Sequence, residues 1–451
     1  MHVWGNSCFI NYKYDELWVK LMNEQEAINW IHKQLKFGIK PGLNRVETLL
    51  QKVGDPHKQL KTIHIAGTNG KGSTTTFLRE ILQQQDFKVG AFTSPYIEIF
   101  NERISINGQP IPAKDLVKLV VQVRPICEEL AGTEDGAPTE FEIITVMAFM
   151  YFVEQSVDYA IIEVGLGGRL DSTNVITPVV SVITTIGYDH IHILGDTVEE
   201  ITYEKAGIIK PSTPVISGVK QVEAQNIIEK RSRDHQTSVL QLGNDFKNNI
   251  VNTNSDEQCF TFEWGNVKFA DITMSMKGFH QIDNASLAIQ SYLTIATIEE
   301  FPVQAESIYK GIHNAYWPGR FEMIQKGPDV ILDGAHNVEA IKTLVTTVNS
   351  RYERANVTVL CSFIQNKPIN EMLSILSKNY NNIALTTFDF FNNYGYYELK
   401  EKYENGNVKV EEDWKKAYNS TLEALEADEV LVVTGSLYFI SEVKKALKEN
   451  N

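Results

Sequence analysis

From Asn23 to about Asn314 short apolar runs alternate with stretches of helical periodicity. The run 62–66 (TIHIA) reads as a strand, followed by a glycine-rich turn and an amphipathic helix through 74–84 (TTTFLREILQQ). Runs at 88–93 (KVGAFT), 159–164 (YAIIEV), 179–186 (VVSVITTI) and 214–218 (PVISG) predict further strands. Their β-branched residues are consecutive instead of alternating, which predicts parallel strands covered on both faces. The helical stretches between them then serve as right-handed crossovers. A second alternating series follows 317–322 (WPGRFE): strands at 330–335 (VILDGA), 357–363 (VTVLCSF), 382–388 (NIALTTF) and 429–435 (EVLVVTG), with a helix at 338–352. Pro318 and Gly319 break either regular structure and place a hinge at 316–319. The pattern predicts an α/β protein with an extension at 1–22, a larger domain at 23–316 and a smaller one at 317–451. The polar stretch 243–258 predicts turns or a hairpin, and the apolar run 144–153 (ITVMAFMYFV), about half the length of a membrane span, predicts a buried helix.

Composition changes this picture in few respects. At 451 residues the chain exceeds one ordinary core. A net charge of -15 argues against nucleic acid as a partner, because non-specific binding needs a basic face. An anionic substrate would need a local pocket of cations, metal or helix N-termini. Cys8, Cys127, Cys259 and Cys361 lack CxxC spacing and read as core filler in a reduced, cytoplasmic setting. No apolar run reaches membrane-spanning length, and the first residues lack the basic start and apolar core of a signal peptide. Met22 precedes a good helix start, which leaves 1–21 as an upstream start or a tail.

The chemistry starts at 66–74 (AGTNGKGST), between a strand and a helix. Glycines 67, 70 and 72 let the amides of Gly67, Thr68, Asn69, Gly70, Lys71, Gly72 and Ser73 converge on phosphate oxygens at a helix N-terminus. Lys71 supplies charge for the β- and γ-phosphates. The spacing G-x-x-G-K-G-S is two residues shorter than the usual nucleotide loop, a variant of it. Glu163 ends a buried parallel strand, at the edge where such sheets bind ligands, beside glycines 165, 167 and 168. Read alone, other residues stay ambiguous. His190 and His192 compete on spacing, Lys205 is a helix lysine beside Glu204, Asn284 fits a helix start, and Phe141 with Glu142 fits a capped helix with a core ring.

These segments, in their order, resemble the folate branch of the Mur-ligase superfamily, the folylpolyglutamate synthase/dihydrofolate synthase family. The resemblance rests on TIHIAGTNGKGS, the Gly-Leu-x-Arg-Val stretch at 42–46, TSPY (93–96), FEIIT (141–145), GLGGRLDSTN (165–174), DHIHILG (189–195), EKAG (204–207), HQIDNA (280–285), PGR (318–320), LDGAHN (332–337) and TGS (434–436). It implies a P-loop ATPase domain with a parallel-rich sheet and a smaller Rossmann-like C-terminal domain. It implies an ATP-dependent ligase that adds L-glutamate to a reduced folate, to dihydropteroate, or to both, through an acyl phosphate. Carried over position by position, it puts Asn284, Arg320 and Asp333 on ATP. Ser94, Glu163, His190 and a carbamylated Lys205 would hold two Mg²⁺ ions. Arg45, Phe141, Glu142, Arg169 and Asp171 would border the folate, and His336 and Ser436 the incoming glutamate. The sequence departs from the family at Tyr96, where His is commoner, at Ser172 and Tyr188, and across 365–373 and 389–397. A monomer without nucleic-acid or membrane partners is expected. Two alternatives stay open: another amino-acid ligase of the superfamily, and a nucleotide-dependent switch or kinase.

Overall fold

The computed structural model describes residues 22–38, 42–253, 257–365, 367–390 and 392–449. Residues 1–21, with Cys8, lie outside the described residues, as do 39–41 of the segment before Arg45.

Eight strands form the first sheet: β1 (Thr62–Ala66), β2 (Val89–Phe92), β3 (Ile104–Ile106), β4 (Gln109–Pro110), β5 (Tyr159–Glu163), β6 (Val180–Ile183), β7 (Val215–Ser217) and β8 (Val239–Gln241). Their order is β4-β3-β2-β5-β1-β6-β7-β8. The six strands from β2 to β8 across the sheet run parallel, while β3 pairs antiparallel with both β2 and the edge strand β4. Ile161 of β5 packs into one core cluster with Ile63, Ile65, Phe77 and Ile289, while Ala160 and Ile162 pack into another with Phe92, Ile143 and Phe149. Both faces are therefore covered, as the unbroken apolar runs required, and each such Ile contributes about 1.5–3 kcal/mol by burial. The run 144–153 lies inside the helix Glu140–Glu154, which is buried nearly all round and begins at a Thr139–Glu142 capping box. The short strands β3, β4 and β8, towards the two ends of the sheet, went unpredicted; of the strands this short only β7, buried throughout, was read from the sequence.

β9 (Phe246–Thr253), β10 (Gln258–Trp264) and β11 (Val267–Met274) form a separate antiparallel sheet on the helix Phe279–Ile298. The polar stretch 243–258 thus enters a hairpin, while β11 goes unpredicted because a register shift at Phe260/Phe262 breaks its alternation.

The second lobe is a six-stranded sheet of β12 (Glu322–Gln325), β13 (Asp329–Leu332), β14 (Val357–Cys361), β15 (Asn382–Thr386), β16 (Val408–Glu411) and β17 (Val430–Thr434). Its order is β12-β13-β17-β14-β15-β16, parallel except for β12. Cys361 and Cys127 are buried filler, and Cys259 is partly exposed. Among the described residues, no helix is long and apolar enough to cross a membrane.

Candidate active site

The carboxyl ends of both parallel sheets face a single cleft of about 580 Å³. Register explains the first lobe's share. Ile65 pairs with Glu163 and Ala66 with Ile183, so the turn after β1, the end of β5 and the segment after β6 lie side by side.

The turn 67–73 is shaped by the threonines after β6. Thr184 Oγ1 donates to the Asn69 carbonyl at 2.6 Å, and the Asn69 amide donates to Thr185 Oγ1 at 3.0 Å. Thr68 Oγ1 accepts from the Gly187 amide at 2.9 Å. A Cβ at Gly67 would lie 1.9 Å from Thr184 Oγ1, and Gly70, at φ 90°, starts the helix Lys71–Gln83 in the left-handed region. This leaves the amides of the first helical turn open towards the cleft, which is the geometry that receives phosphate. Lys71 Nζ rests on the Gly67 carbonyl at 3.1 Å and lies 3.9 Å from Glu163 Oε1.

Glu163 is 4% exposed, and its Oε2 has no hydrogen-bond partner. Burial pushes its carboxyl up to about 7, against the pull of Lys71, Arg320 and the Ser94 amide. Lys205 is 5% exposed, and its Nζ donates to the Gly67 carbonyl at 3.2 Å. Burial, reinforced by repulsion from Lys71, lowers its pKa to about 7. The predicted capping box, Thr197 with Glu200, starts its helix, which ends at Lys205. His190, in the left-handed region at φ 52°, lines the cleft together with Ser94. His192 is not among the lining residues.

The opposite wall comes from the second lobe and the helix Phe279–Ile298. Asn284 stands over Gly70, where an added Cβ would approach its Oδ1 to 2.4 Å. Arg320, Asp333, His336 and Ser436 all line the cleft. Asp333 also shapes its own turn, accepting from the amides of Phe321 and Ala335 at 2.9 Å each. Arg45, Phe141, Glu142, Arg169 and Asp171 are not among the residues lining this cleft. Glu142 pairs with Arg45 Nε at 3.0 Å and caps its own helix. Arg169 pairs with Glu204 at 2.8 Å, and Asp171 accepts from the Leu166 amide at 2.7 Å, so both brace the 165–174 turn. The Phe141 ring lies under Gly165, where a Cβ would meet it at 2.4 Å.

Several cleft residues escaped the sequence reading. Asp189 is the hub of a cross-lobe cluster: Lys367 Nζ lies at 2.5 Å, Asn337 Nδ2 at 3.5 Å and His336 Nε2 at 3.6 Å. Burial opposes its charge, but His336, Lys367 and His190 hold the Asp189 carboxyl well below the usual range. Asn337 also exchanges amide hydrogen bonds with Asn69, at 3.0 and 3.3 Å. Trp317 covers Gly72, its Nε1 2.9 Å from where a Cβ would sit. The only sequence signals were polar residues next to motifs already noted: the Thr-Thr pair after β6, the Asp before His190 and the Lys at 367.

A nucleotide-shaped loop facing a second α/β lobe across a charged cleft is the architecture of a Mur-type ligase. The family described as Mur ligase middle domain matches residues 65–292, and the Mur ligase glutamate ligase domain matches 319–437. The chain is 42% identical over 428 residues to a dihydrofolate synthase/folylpolyglutamate synthase of Bacillus subtilis, covering 94% of this chain and 99% of that one. The crystal structure of a folylpolyglutamate synthase from Thermotoga maritima superimposes with a TM-score of 0.83 at 34% identity, covering 95% of this chain and 97% of that one. A solved complex described as FPGS with AMPPCP and folate gives 0.83 at 33% identity, with 94% and 100% covered. The chain belongs to the dihydrofolate synthase/folylpolyglutamate synthase family.

Proposed function

We propose that the chain is an ATP-dependent ligase that forms an amide between L-glutamate and the carboxylate of a reduced folate, of dihydropteroate, or of both. The observation that carries this reading is the convergence, in one cleft, of the open first helical turn at 71–73, Lys71, a Glu163 carboxylate whose Oε2 has no partner, the buried Lys205 amine and Arg320. Relatives of this family catalyse that chemistry by name, and one has been solved with an ATP analogue and folate together.

The loop amides and Lys71 hold the triphosphate, Asn284 and Asp333 flank it, and Arg320 reaches the transferring phosphoryl group. That group moves to the acceptor carboxylate, giving an acyl phosphate and ADP. The amine of glutamate, held near His336 and Ser436, attacks the acyl carbon. Phosphate leaves, and the amine loses its proton. No side-chain nucleophile is needed; alignment and charge supply the rate. Closure of the two lobes keeps water from the acyl phosphate. Phe141, beneath Gly165, forms the floor on which a flat pterin rests, and Arg45, Glu142, Arg169 and Asp171 hold that floor in place.

Among the described residues no three His, Cys, Asp or Glu side chains form a metal cluster. The residues present nonetheless fit magnesium. A buried carboxylate oxygen without a partner lacks a cation or a proton, and oxygen donors suit a hard ion. Ser94, Glu163, His190 and Lys205 as a carbamate would hold two Mg²⁺ ions, which would neutralise charge on the phosphate oxygens. A lysine with a depressed pKa is neutral often enough to react with CO₂. We also place the protein in the cytoplasm, in keeping with the unpaired Cys127, Cys259 and Cys361, and propose a monomer.

The test is ADP release with dihydropteroate and with tetrahydrofolate, each with and without L-glutamate, with the products weighed by mass spectrometry. Glutamate-dependent ADP and a product heavier by one glutamyl residue are expected. ADP release that ignores glutamate and yields no amide would show the reading to be wrong.

A further inference from the structure

The segment that carries Ser94 lies between β2 and β3 of the first lobe, yet it packs into the second. Ile97 is 3% exposed and clusters with Val330, Leu332, Phe439, Ile440 and Val443, all core residues of the second lobe. Ser441 Oγ donates to the Ile97 carbonyl. Glu98 accepts from two lysines four residues apart on the helix Leu437–Glu449, Lys444 at 2.9 Å and Lys448. Lys444 also reaches Glu322 Oε1 at 2.6 Å, a pair with side chains only 10% and 8% exposed. The other oxygen of Glu322 accepts from the Gly319 amide at 2.8 Å, directly before Arg320.

The segment is also stiff. Glu102 accepts from the amides of Ile97, Glu98 and Ile99 at 2.9, 3.1 and 2.9 Å, closing the loop on itself. Ile97 is plugged into the second lobe's core while Tyr96 and Phe100 pack against the first lobe's, so a shift between the lobes is passed to this closed loop, because packed interfaces shift as units. Its leading end is Ser94, which lines the same cleft as Glu163.

We infer that Ile97, Glu98 and Lys444 are positioning residues that tie the Ser94 loop to the second lobe, so that displacement of that lobe draws Ser94 away from Glu163. The phosphate site is then complete only while the second lobe is seated. The effect on turnover rests on the ligase reading above; the mechanical tie does not.

The test compares Glu98→Gln, Lys444→Met and Lys444→Arg with the wild-type enzyme. Glu98→Gln removes only the inter-lobe half of the network and leaves Lys444 paired with Glu322, so the fold is spared. In hydrogen exchange, the 94–103 peptide should exchange at least about fivefold faster in Glu98→Gln and Lys444→Met, while β1 and β5 keep wild-type protection. In turnover, kcat should fall about tenfold with the KM for ATP within about twofold, and ADP released per amide should rise. Lys444→Arg should restore both. Wild-type exchange at 94–103 in both variants would overturn the inference. So would exchange that rises throughout the protein in step with a lowered melting temperature. A wild-type enzyme that makes no amide refutes the ligase reading instead, and the exchange result still decides the tie.

Discussion

Burial makes Glu163 hard to ionise before any nucleotide arrives. Its carboxyl titrates near 4.5 in an unfolded chain and near 7 in the cleft, so between these values the folded state holds more protons. Its stabilising contribution is full below about 4.5 and is lost as pH rises through about 7. Glu163→Gln should therefore abolish turnover yet stabilise the ligand-free protein at pH 8 by about 1–3 kcal/mol, with little change at pH 4.5. Melting curves at the two pH values check this, and a variant less stable at pH 8 would contradict it. Lys205→Ala should also abolish turnover, with partial recovery on adding short carboxylic acids that replace the carbamate; full activity without them would refute the carbamate role. The two residues differ in legibility. Glu163 stood out by its place at the end of an apolar strand. Lys205 did not, because a lysine beside Glu204 reads as a solvated face. Its burial comes from segments distant in the chain: its Nζ rests on the Gly67 carbonyl, and the turn 165–174 packs on its backbone.

That turn is where elements matter most. The helix ending at Lys205 is pressed so closely on the segment 165–174 that a Cβ on Gly207 would lie 2.3 Å from the Arg169 Cα. Backbone cannot yield as a side-chain tip can, so Gly207→Ala should cost about 1–3 kcal/mol through overpacking and shift Lys205 within the cleft. A melting temperature lowered by several degrees and a kcat reduced by about tenfold are expected, since small misplacements at reacting groups cost heavily. The central parallel strands were readable because burial on both faces imposes continuous apolar runs, whereas the eight-residue β11, in the antiparallel sheet and irregular in register, was not. Thr184 and Thr185 were not singled out. They follow β6 as ordinary strand-end residues, and only the neighbouring register of β1 reveals that they hold the Asn69 loop.

Across the whole molecule, the contacts hardest to read are those between lobes. Apolar period reports burial against a residue's own layer and says nothing about a partner in another sheet. Lys367 lies where the sequence departs from the family, yet it pairs with Asp189 and so bears on closure of the cleft. Lys367→Met should lower kcat/KM for glutamate about tenfold, roughly 1.4 kcal/mol, while Asp189 keeps His336. Steady-state kinetics with varied glutamate checks this, and an unchanged kcat/KM would remove Lys367 from the closing contacts. The insertion of Ile97 among second-lobe side chains has a consequence for recombination between relatives. A hybrid spliced within 316–319 would bring its second half without the isoleucine that fills it, and the first half would present a foreign one. Functional exchange of halves between members of the family therefore requires that 95–99 travel with the carboxyl-terminal portion, although more than two hundred residues of sequence separate the two.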